Sequence, residues 1–309
     1  MRLSSAFIRN IRNTFGEKGE HFLQELPALL DACAQRWQLT LGPPFDNLSY
    51  NYVAPAVRAD EEEVVLKLGV PHRELWSEIE ALTFFAGRGC VRLFDADAVC
   101  GALLLERLRP GHGLRTLVEK ADDLATAVIA EVMEALWHPA PSEHTMLTIE
   151  AWARELETLR PAFDGGCGPF PPHLVEAAEH LFPELLASSG PAVVLHGDLH
   201  HENILATGEG GWLAIDPKGV IGEREFEAYA MLRNPLGWPL AQPNPARVLK
   251  RRIDRLAERL GLDRERMRLW AVAQCVLSAW WDYGEGAGRD FGAKNDDLLI
   301  AQILWEMGA

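Results

Sequence analysis

His196-Gly197-Asp198-Leu199-His200-His201-Glu202-Asn203 is the stretch from which the fold is read. Three of the chain's ten histidines fall within these eight positions, and no other segment is as dense in reactive side chains. Apolar Ala192 to Leu195 precede it and read as a strand. Asn203 to Ala206 and Trp212 to Asp216 read as two more, joined by the turn Gly208-Glu209-Gly210-Gly211, so that the three form one compact β segment. Asp198 therefore follows a strand directly, and Asp216 ends the next hairpin. The hairpin brings Asp216 back beside Asn203, and this carboxylate–amide pair offers hard oxygen ligands of the kind Mg²⁺ prefers.

Outward from this segment the chain divides into two parts. Toward the C-terminus it is mostly helical: Leu124, Ala127, Val128, Val132, Ala135 and Leu136 recur at helical spacing. Gly165 to Pro172 reads as a loop, and Arg247 to Leu260 and Leu269 to Tyr283 as amphipathic helices. Toward the N-terminus, Phe22, Leu23, Leu26, Leu29, Leu30, Cys33 and Trp37 read as one face of a helix before the turn Gly42-Pro43-Pro44. Asn51 to Val57 and Val64 to Leu68 then read as a hairpin with an acidic tip at Asp60-Glu61-Glu62-Glu63. A helix over Arg73 to Ala86 and short strands at Val91 to Phe94 and Ala102 to Leu105 follow. The longest apolar run, Ala98 to Leu105, reads as a buried strand and is far shorter than the ~18–20 residues of a membrane span. Arg109-Pro110-Gly111-His112-Gly113 breaks the pattern and is the expected hinge between the parts.

His196-x-Asp198-x-x-x-x-Asn203 followed by Asp216 resembles the protein-kinase catalytic loop and its metal-binding aspartate. The His-Gly-Asp form is similar to that of the aminoglycoside phosphotransferase-like small-molecule kinases. Asp216-Pro217-Lys218-Gly219 in place of Asp-Phe-Gly narrows the resemblance to the streptomycin 6-kinase and hydroxyurea phosphotransferase group. Leu195 before the loop, Leu232 to Pro235 and Leu277 to Trp281 support it, and the likeness covers about Gly42 to Trp281.

The resemblance implies an α+β, protein-kinase-like bilobal fold with a small β-rich N-terminal lobe and a larger, mainly helical C-terminal lobe. Residues 1–108 would be the nucleotide-binding lobe and 109–309 the catalytic and substrate-binding lobe. It implies ATP and Mg²⁺ as cofactors, Asp198 as catalytic base, and Asn203 and Asp216 as metal ligands. Lys67, set among four apolar residues of Val64 to Leu68, would point into the cleft and grip the α- and β-phosphates. Its helix partner would be Glu78, with Glu74 one turn earlier as the alternative. Leu104 to Leu108, with Glu106 and Leu108, resembles the hinge strand whose backbone would take the adenine edge. The phosphate loop departs from the pattern: Asn47 to Tyr52 has no glycine, and Ser49 and Asn51 would supply donors instead. No G-x-x-x-x-G-K-[ST] sequence occurs, so a P-loop fold is excluded.

His196 reads as a structural residue of the loop. His200, His201 and Glu202 would sit at the mouth of the cleft, where His201 is a substrate candidate, and Lys218 would meet the transferred phosphate. Trp280, Trp281, Asp282 and Glu285 form an aromatic and acidic group at a helix end, suited to a guanidinium or ammonium acceptor or equally to a buried tryptophan pair with a solvated helix end. Glu223, Glu225 and Glu227 form a second acidic cluster.

Composition narrows the partners. With 30 Lys and Arg against 45 Asp and Glu, the net charge of −15 opposes general nucleic-acid binding and agrees with a cationic small molecule. Met1 to Glu20 lacks the apolar core of a secretory signal, and five scattered cysteines form no C-x-x-C pair, so the expected compartment is the cytoplasm, with no membrane partner. The expected activity is ATP-dependent O-phosphorylation of a small hydroxylated molecule, an aminoglycoside such as streptomycin, with hydroxyurea or another small metabolite as the alternative. A metal-dependent hydrolase built on His196, Asp198, His200 and His201 would leave Asn203, Asp216 and Lys67 without roles, and adjacent His200 and His201 would face opposite ways on a strand. A catalytically silent kinase-fold binding protein would more often have lost the lysine or a metal ligand.

Overall fold

The computed structural model describes residues 3–284 and 295–308. The first part of the chain is built on a five-stranded antiparallel sheet. Its strands are β1 (Leu39–Leu41), β2 (Tyr52–Arg58), β3 (Glu63–Leu68), β4 (Leu93–Asp97) and β5 (Ala102–Glu106), in the order β1-β2-β3-β5-β4. Period-2 alternation sorts its faces. Val64, Leu66 and Leu68 of β3 are fully buried with Tyr52, Ala54 and Ala56 of β2 against the long N-terminal helix α1 (Ser5–Trp37). The opposite face carries Val65 and Lys67 toward α2 (Arg73–Phe85).

α1 is two helices in series. At Gly16 the backbone turns to φ 55°, ψ −127°, a conformation that glycine alone adopts at little cost. Ala98 to Leu105 is not one strand. Ala98 to Gly101 form the β4–β5 turn with Val99 89% exposed, and the strand starts at Ala102. Gly101, at φ 73°, lets the turn approach Gly69, whose carbonyl oxygen would lie 2.1 Å from a Cβ there.

Seven helices follow among the described residues: α3 (Arg115–Leu136), α4 (Ile149–Leu156), α5 (Pro172–Ala187), α6 (Ala228–Arg233), α7 (Pro245–Leu260), α8 (Arg264–Gly284) and α9 (Asp296–Glu306). α8 is the hub, packed against α5, α6 and α9, with fully buried Trp270 at its centre. The buried stripe of α3 runs through Val118, Ala125, Ile129, Val132, Met133 and Leu136, whereas Leu124 and Ala135 face solvent. Helical phase restarts at Ala121 (φ −155°, ψ 58°), and Arg252 draws Asp122 inward, so the polar side of the sequence pattern becomes partly core.

The predicted three-stranded β segment separates into two small sheets. β7 (Val193–Leu195) pairs antiparallel with β10 (Val220–Gly222), which runs parallel to β6 (Leu147–Thr148). β8 (Ile204–Ala206) and β9 (Trp212–Ala214) form their own hairpin. No helix among the described residues is long and apolar enough to cross a membrane.

Candidate active site

β7 ends where His196 begins, and the loop that follows is fixed from below. His196 is fully buried, donates from Nε2 to the Ile215 carbonyl (2.8 Å) and accepts the Asp198 N–H at Nδ1 (3.2 Å). Burial lowers its pKa to about 4, so the ring is neutral, as these two bonds require. Glu227 accepts the N–H groups of His196 (2.7 Å) and Gly197 (2.8 Å) on its two oxygens. Burial pushes this carboxyl up to about 7 against those donors. Gly197, at φ 83°, passes so close to Val220 that a Cβ would lie 2.6 Å from Cγ2. The loop thereby turns the half-exposed Asp198 carboxylate into the cleft.

Asn203 Nδ2 donates to the Asp198 carbonyl (3.0 Å), and the Ile215 N–H donates to the Asn203 carbonyl (2.9 Å). These bonds set Asp216 beside Asn203. Asp216 stands at φ 57°, and its Oδ1 lies 3.0 Å from Lys67 Nζ, which also meets Glu78 Oε1 at 2.5 Å. Burial opposes the Lys67 charge, but Asp216 and Glu78 outweigh it and raise the ammonium above its ordinary pKa. Burial likewise opposes the Asp216 charge, and Lys67 outweighs it and holds the carboxyl below its usual range. Glu74 pairs instead with Lys218 (2.8 Å), so Glu74 and Glu78 of α2 hold one lysine each.

The cleft has a volume of about 1760 Å³ and takes in Asp198, Asn203, Asp216, Lys67, Glu78 and Lys218 together. Ser49, Glu106, Leu108, Trp281 and Asp282 line it as well. The Glu106 N–H donates to the Arg92 carbonyl (2.9 Å) and its carboxylate accepts the Arg92 N–H (3.1 Å). Ser49 is exposed on the glycine-free loop, where its carbonyl accepts from Asn10 Nδ2 (3.4 Å).

His201 corrects the sequence expectation: it is fully buried and away from the cleft mouth. His201 to Asn203 form a 3₁₀ turn, which rotates successive side chains by about 120°, so His200 faces the cleft and His201 the interior. Neither ring nitrogen of His201 has a partner, and burial lowers its pKa to about 3. Glu285 lies outside the described residues. The acidic cluster at 223–227 is scattered into structural roles. Glu223 accepts from Trp270, Arg266 (2.6 Å) and Gly190 (3.0 Å), while Glu227 supports the loop.

Several cleft residues escape sequence reasoning. Glu155 of α4 accepts the Trp281 indole N–H (2.6 Å), and Trp281 meets Trp152 edge-on at 5.3 Å. Arg233 enters from the end of α6, held by Asp297 (3.2 Å), Tyr229 (2.9 Å) and Ser278 (2.8 Å). Arg233 lies within Leu232 to Pro235, a stretch that carries the resemblance but gives no role to the arginine, and α4 is too short for its periodicity to stand out.

Among the described residues no group of three or more His, Cys, Asp or Glu side chains forms a metal cage. The Asn203 amide oxygen and the second Asp216 oxygen fit Mg²⁺, which takes one or two protein oxygens and completes its shell with phosphate and water.

A sequence model described as aminoglycoside/hydroxyurea antibiotic resistance kinase matches residues 36–286. Streptomycin 6-kinase from Streptomyces glaucescens is 34% identical over 274 residues, covering 88% of each chain. Hydroxyurea phosphotransferase from Kitasatospora aureofaciens is 32% identical over 302 residues, covering 94% of this chain and 82% of its own. In fold, the chain is similar to a choline/ethanolamine kinase family protein from Mesorhizobium loti (TM-score 0.65, 14% identity, 92% of this chain and 95% of that one). It is also similar to a thermostable mutant of an aminoglycoside phosphotransferase in a ternary complex with ADP and hygromycin B (TM-score 0.62, 13% identity, 91% and 99%). The fold is therefore protein-kinase-like, with a β-rich N-terminal lobe and a mainly helical C-terminal lobe. The sequence agreement extends well beyond the catalytic loop, through both lobes, and the chain belongs to the aminoglycoside/hydroxyurea antibiotic resistance kinase family.

Proposed function

We propose that the protein transfers the γ-phosphate of ATP to a hydroxyl of a cationic small molecule, an aminoglycoside of the streptomycin kind. The observation that carries this reading is the convergence of Asp198, Asn203, Asp216 and the Lys67–Glu78 pair in one cleft. Residues 1–108 would hold the nucleotide, with the adenine edge against the backbone of Glu106 and Leu108 and the phosphates near Ser49 and Lys67. Residues 109–309 would supply the base and the acceptor side. Five free cysteines suit a reducing compartment such as the cytoplasm.

Phosphoryl transfer has a loose transition state, so positioning and charge neutralisation do most of the work. Asp198 accepts the hydrogen bond of the acceptor hydroxyl and orients its oxygen toward the γ-phosphorus. As the new O–P bond forms, the bond from the γ-phosphorus to the β,γ-bridging oxygen breaks, ADP leaves, and the hydroxyl proton passes to Asp198. Lys67, clamped by Glu78, holds the α- and β-phosphates, and Lys218 lies on the side of the transferred group. Asn203 and Asp216 would hold Mg²⁺, which when bound neutralises phosphate charge.

Acceptor chemistry is read from Glu155, Trp152, Trp281 and Asp282, an acidic and aromatic wall that suits a guanidinium or ammonium group. Hydroxyurea is the second reading, supported by the 302-residue match to a hydroxyurea phosphotransferase. The test is turnover of Mg-ATP with streptomycin, other aminoglycosides, hydroxyurea and simple sugars, followed by mass spectrometry. A streptomycin product heavier by one phosphate is expected. Asp198→Ala should lower its rate by about 10²–10⁴ while ATP still binds. Full turnover by Asp198→Ala would refute the base assignment, and a product from hydroxyurea alone would select the second reading.

A further inference from the structure

The N-terminal arm reaches the same cleft. Residues 5–15 and 17–37 of α1 fold back on one another at Gly16. Arg12 and Glu20 are eight positions apart, about 12 Å along a straight helix, yet their Nε and Oε2 atoms lie 2.6 Å apart. Gly19 permits the approach, since a Cβ there would sit 2.4 Å from the Ile11 carbonyl oxygen. The two legs bury Phe7, Ile11, Phe22 and Leu26 against the back of the sheet.

At the tip of this hairpin Phe15 alone joins that packing. Thr14, Glu17 and Lys18 are exposed and line the cleft. Two contacts fasten the tip. Phe15 meets the His72 ring edge-on at 5.0 Å, at the start of α2, and Asn10 donates to the Ser49 carbonyl of the glycine-free loop. Lys67 and Lys218 are each held by a carboxylate, whereas Lys18 has no ion pair among the described residues. Its neighbour Glu17 does not face it, because adjacent helical residues point apart. An ammonium without an ion-pair partner thus lines the same cleft as the loop 47–52, which has none of the glycines that let backbone N–H groups close over phosphates.

We propose that Lys18, presented by the Gly16 hairpin, is a further contact to the phosphates of the bound nucleotide. This rests on the reading of the cleft as a nucleoside triphosphate site. The family match begins at residue 36, so the arm that carries Lys18 lies outside it.

The test is calorimetric titration of the whole chain with ATP and with adenosine, which has no phosphate. Lys18→Ala should weaken ATP binding about five- to tenfold at low salt, less at high salt, and leave adenosine binding unchanged. Lys18→Arg should retain ATP affinity. Gly16→Ala keeps every charge, and its Cβ meets nothing within 4 Å, yet it penalises the bend and should show the same ATP-specific loss. Wild-type ATP affinity in either alanine variant overturns the proposal. So does an equal loss for ATP and adenosine, or a change confined to the KM of the acceptor. Failure of the unaltered protein to bind ATP would instead remove the nucleotide reading itself.

Discussion

Glu74 Oε2 lies 2.8 Å from Lys218 Nζ, one helical turn before Glu78 takes Lys67 on α2. The helix therefore ties together the strand that carries Lys67 and the segment that follows Asp216. The two pairs differ in their exposure to water. The side chains of Lys67 and Glu78 are 3% and 9% exposed, those of Lys218 and Glu74 40% and 46%.

That difference sets the first prediction. Glu78→Gln leaves a desolvated ammonium with Asp216 as its remaining charged partner, at a cost of order 3 kcal/mol in stability. It should lower kcat/KM by about 10²-fold. Glu74→Gln releases a lysine that water already screens and should cost under about 1 kcal/mol and less than tenfold in kcat/KM. Steady-state kinetics and urea unfolding of both variants check this, and equal losses would show that Lys218 matters as much as Lys67.

The loop was legible because its motif is local: His196, Asp198 and Asn203 lie within eight residues and bond to one another's backbone, whereas its distant prop Glu227 was not legible. Lys67 was legible because period-2 alternation among apolar neighbours aims one side chain away from the core. What escaped depends on contacts distant in sequence or on a change of helical phase. Nothing around His201 announces a 3₁₀ turn, and nothing in the run Ala98 to Leu105 except Gly101 announces a reversal. Glu155 becomes a cleft residue only because α4 packs against α8, which brings it to Trp281, 126 residues away. Leu124 looks like core until Arg252, 128 residues later, rotates the face by claiming Asp122.

The base of the loop predicts a pH signature. Burial raises Glu227 to about 7, above an unfolded value near 4.3, so its stabilising contribution is full below about 4.3 and is lost as pH rises through 7. His196 runs the opposite way: burial lowers it to about 4 from about 6.5, and stability is lost as pH falls through that window. Each shift corresponds to roughly 3–4 kcal/mol, and between about pH 4.5 and 6.5 the two slopes offset. Relative to the unaltered protein, Glu227→Gln should lose stability toward acid over that range, and His196→Asn should gain it. Urea unfolding at several pH values reads the tilt directly, and parallel curves for all three proteins would refute the account.

His201 separates position in the motif from role in the site. Both its ring nitrogens are buried and unpartnered, so an apolar side chain of similar size loses no hydrogen bond and removes a desolvation penalty. His201→Leu should keep kcat and both KM values within about twofold and raise stability by about 1 kcal/mol. His200 stands 3.8 Å from Asp198 and 3.0 Å from Glu202 on the cleft side, and His200→Ala should lower kcat about tenfold. A large rise in acceptor KM in His201→Leu would return His201 to the substrate site.

The acceptor wall gives the last prediction, and it discriminates between acceptors. Glu155 is held at the cleft by the Trp281 indole; burial raises its pKa, and a cation arriving there would favour the charged form. For a guanidinium-bearing acceptor, Glu155→Gln removes the counter-charge while sparing the indole contact. It should raise acceptor KM about tenfold at low salt with ATP affinity unchanged. Trp281→Leu should add a comparable loss, because it removes both the aromatic face and the group that orients the carboxylate. Hydroxyurea carries no charge and should be indifferent to Glu155→Gln at any salt concentration. Measuring the salt dependence of KM for streptomycin and for hydroxyurea in this one variant therefore tests the electrostatic role of the wall. It also shows which of the two acceptors the cleft is built to hold.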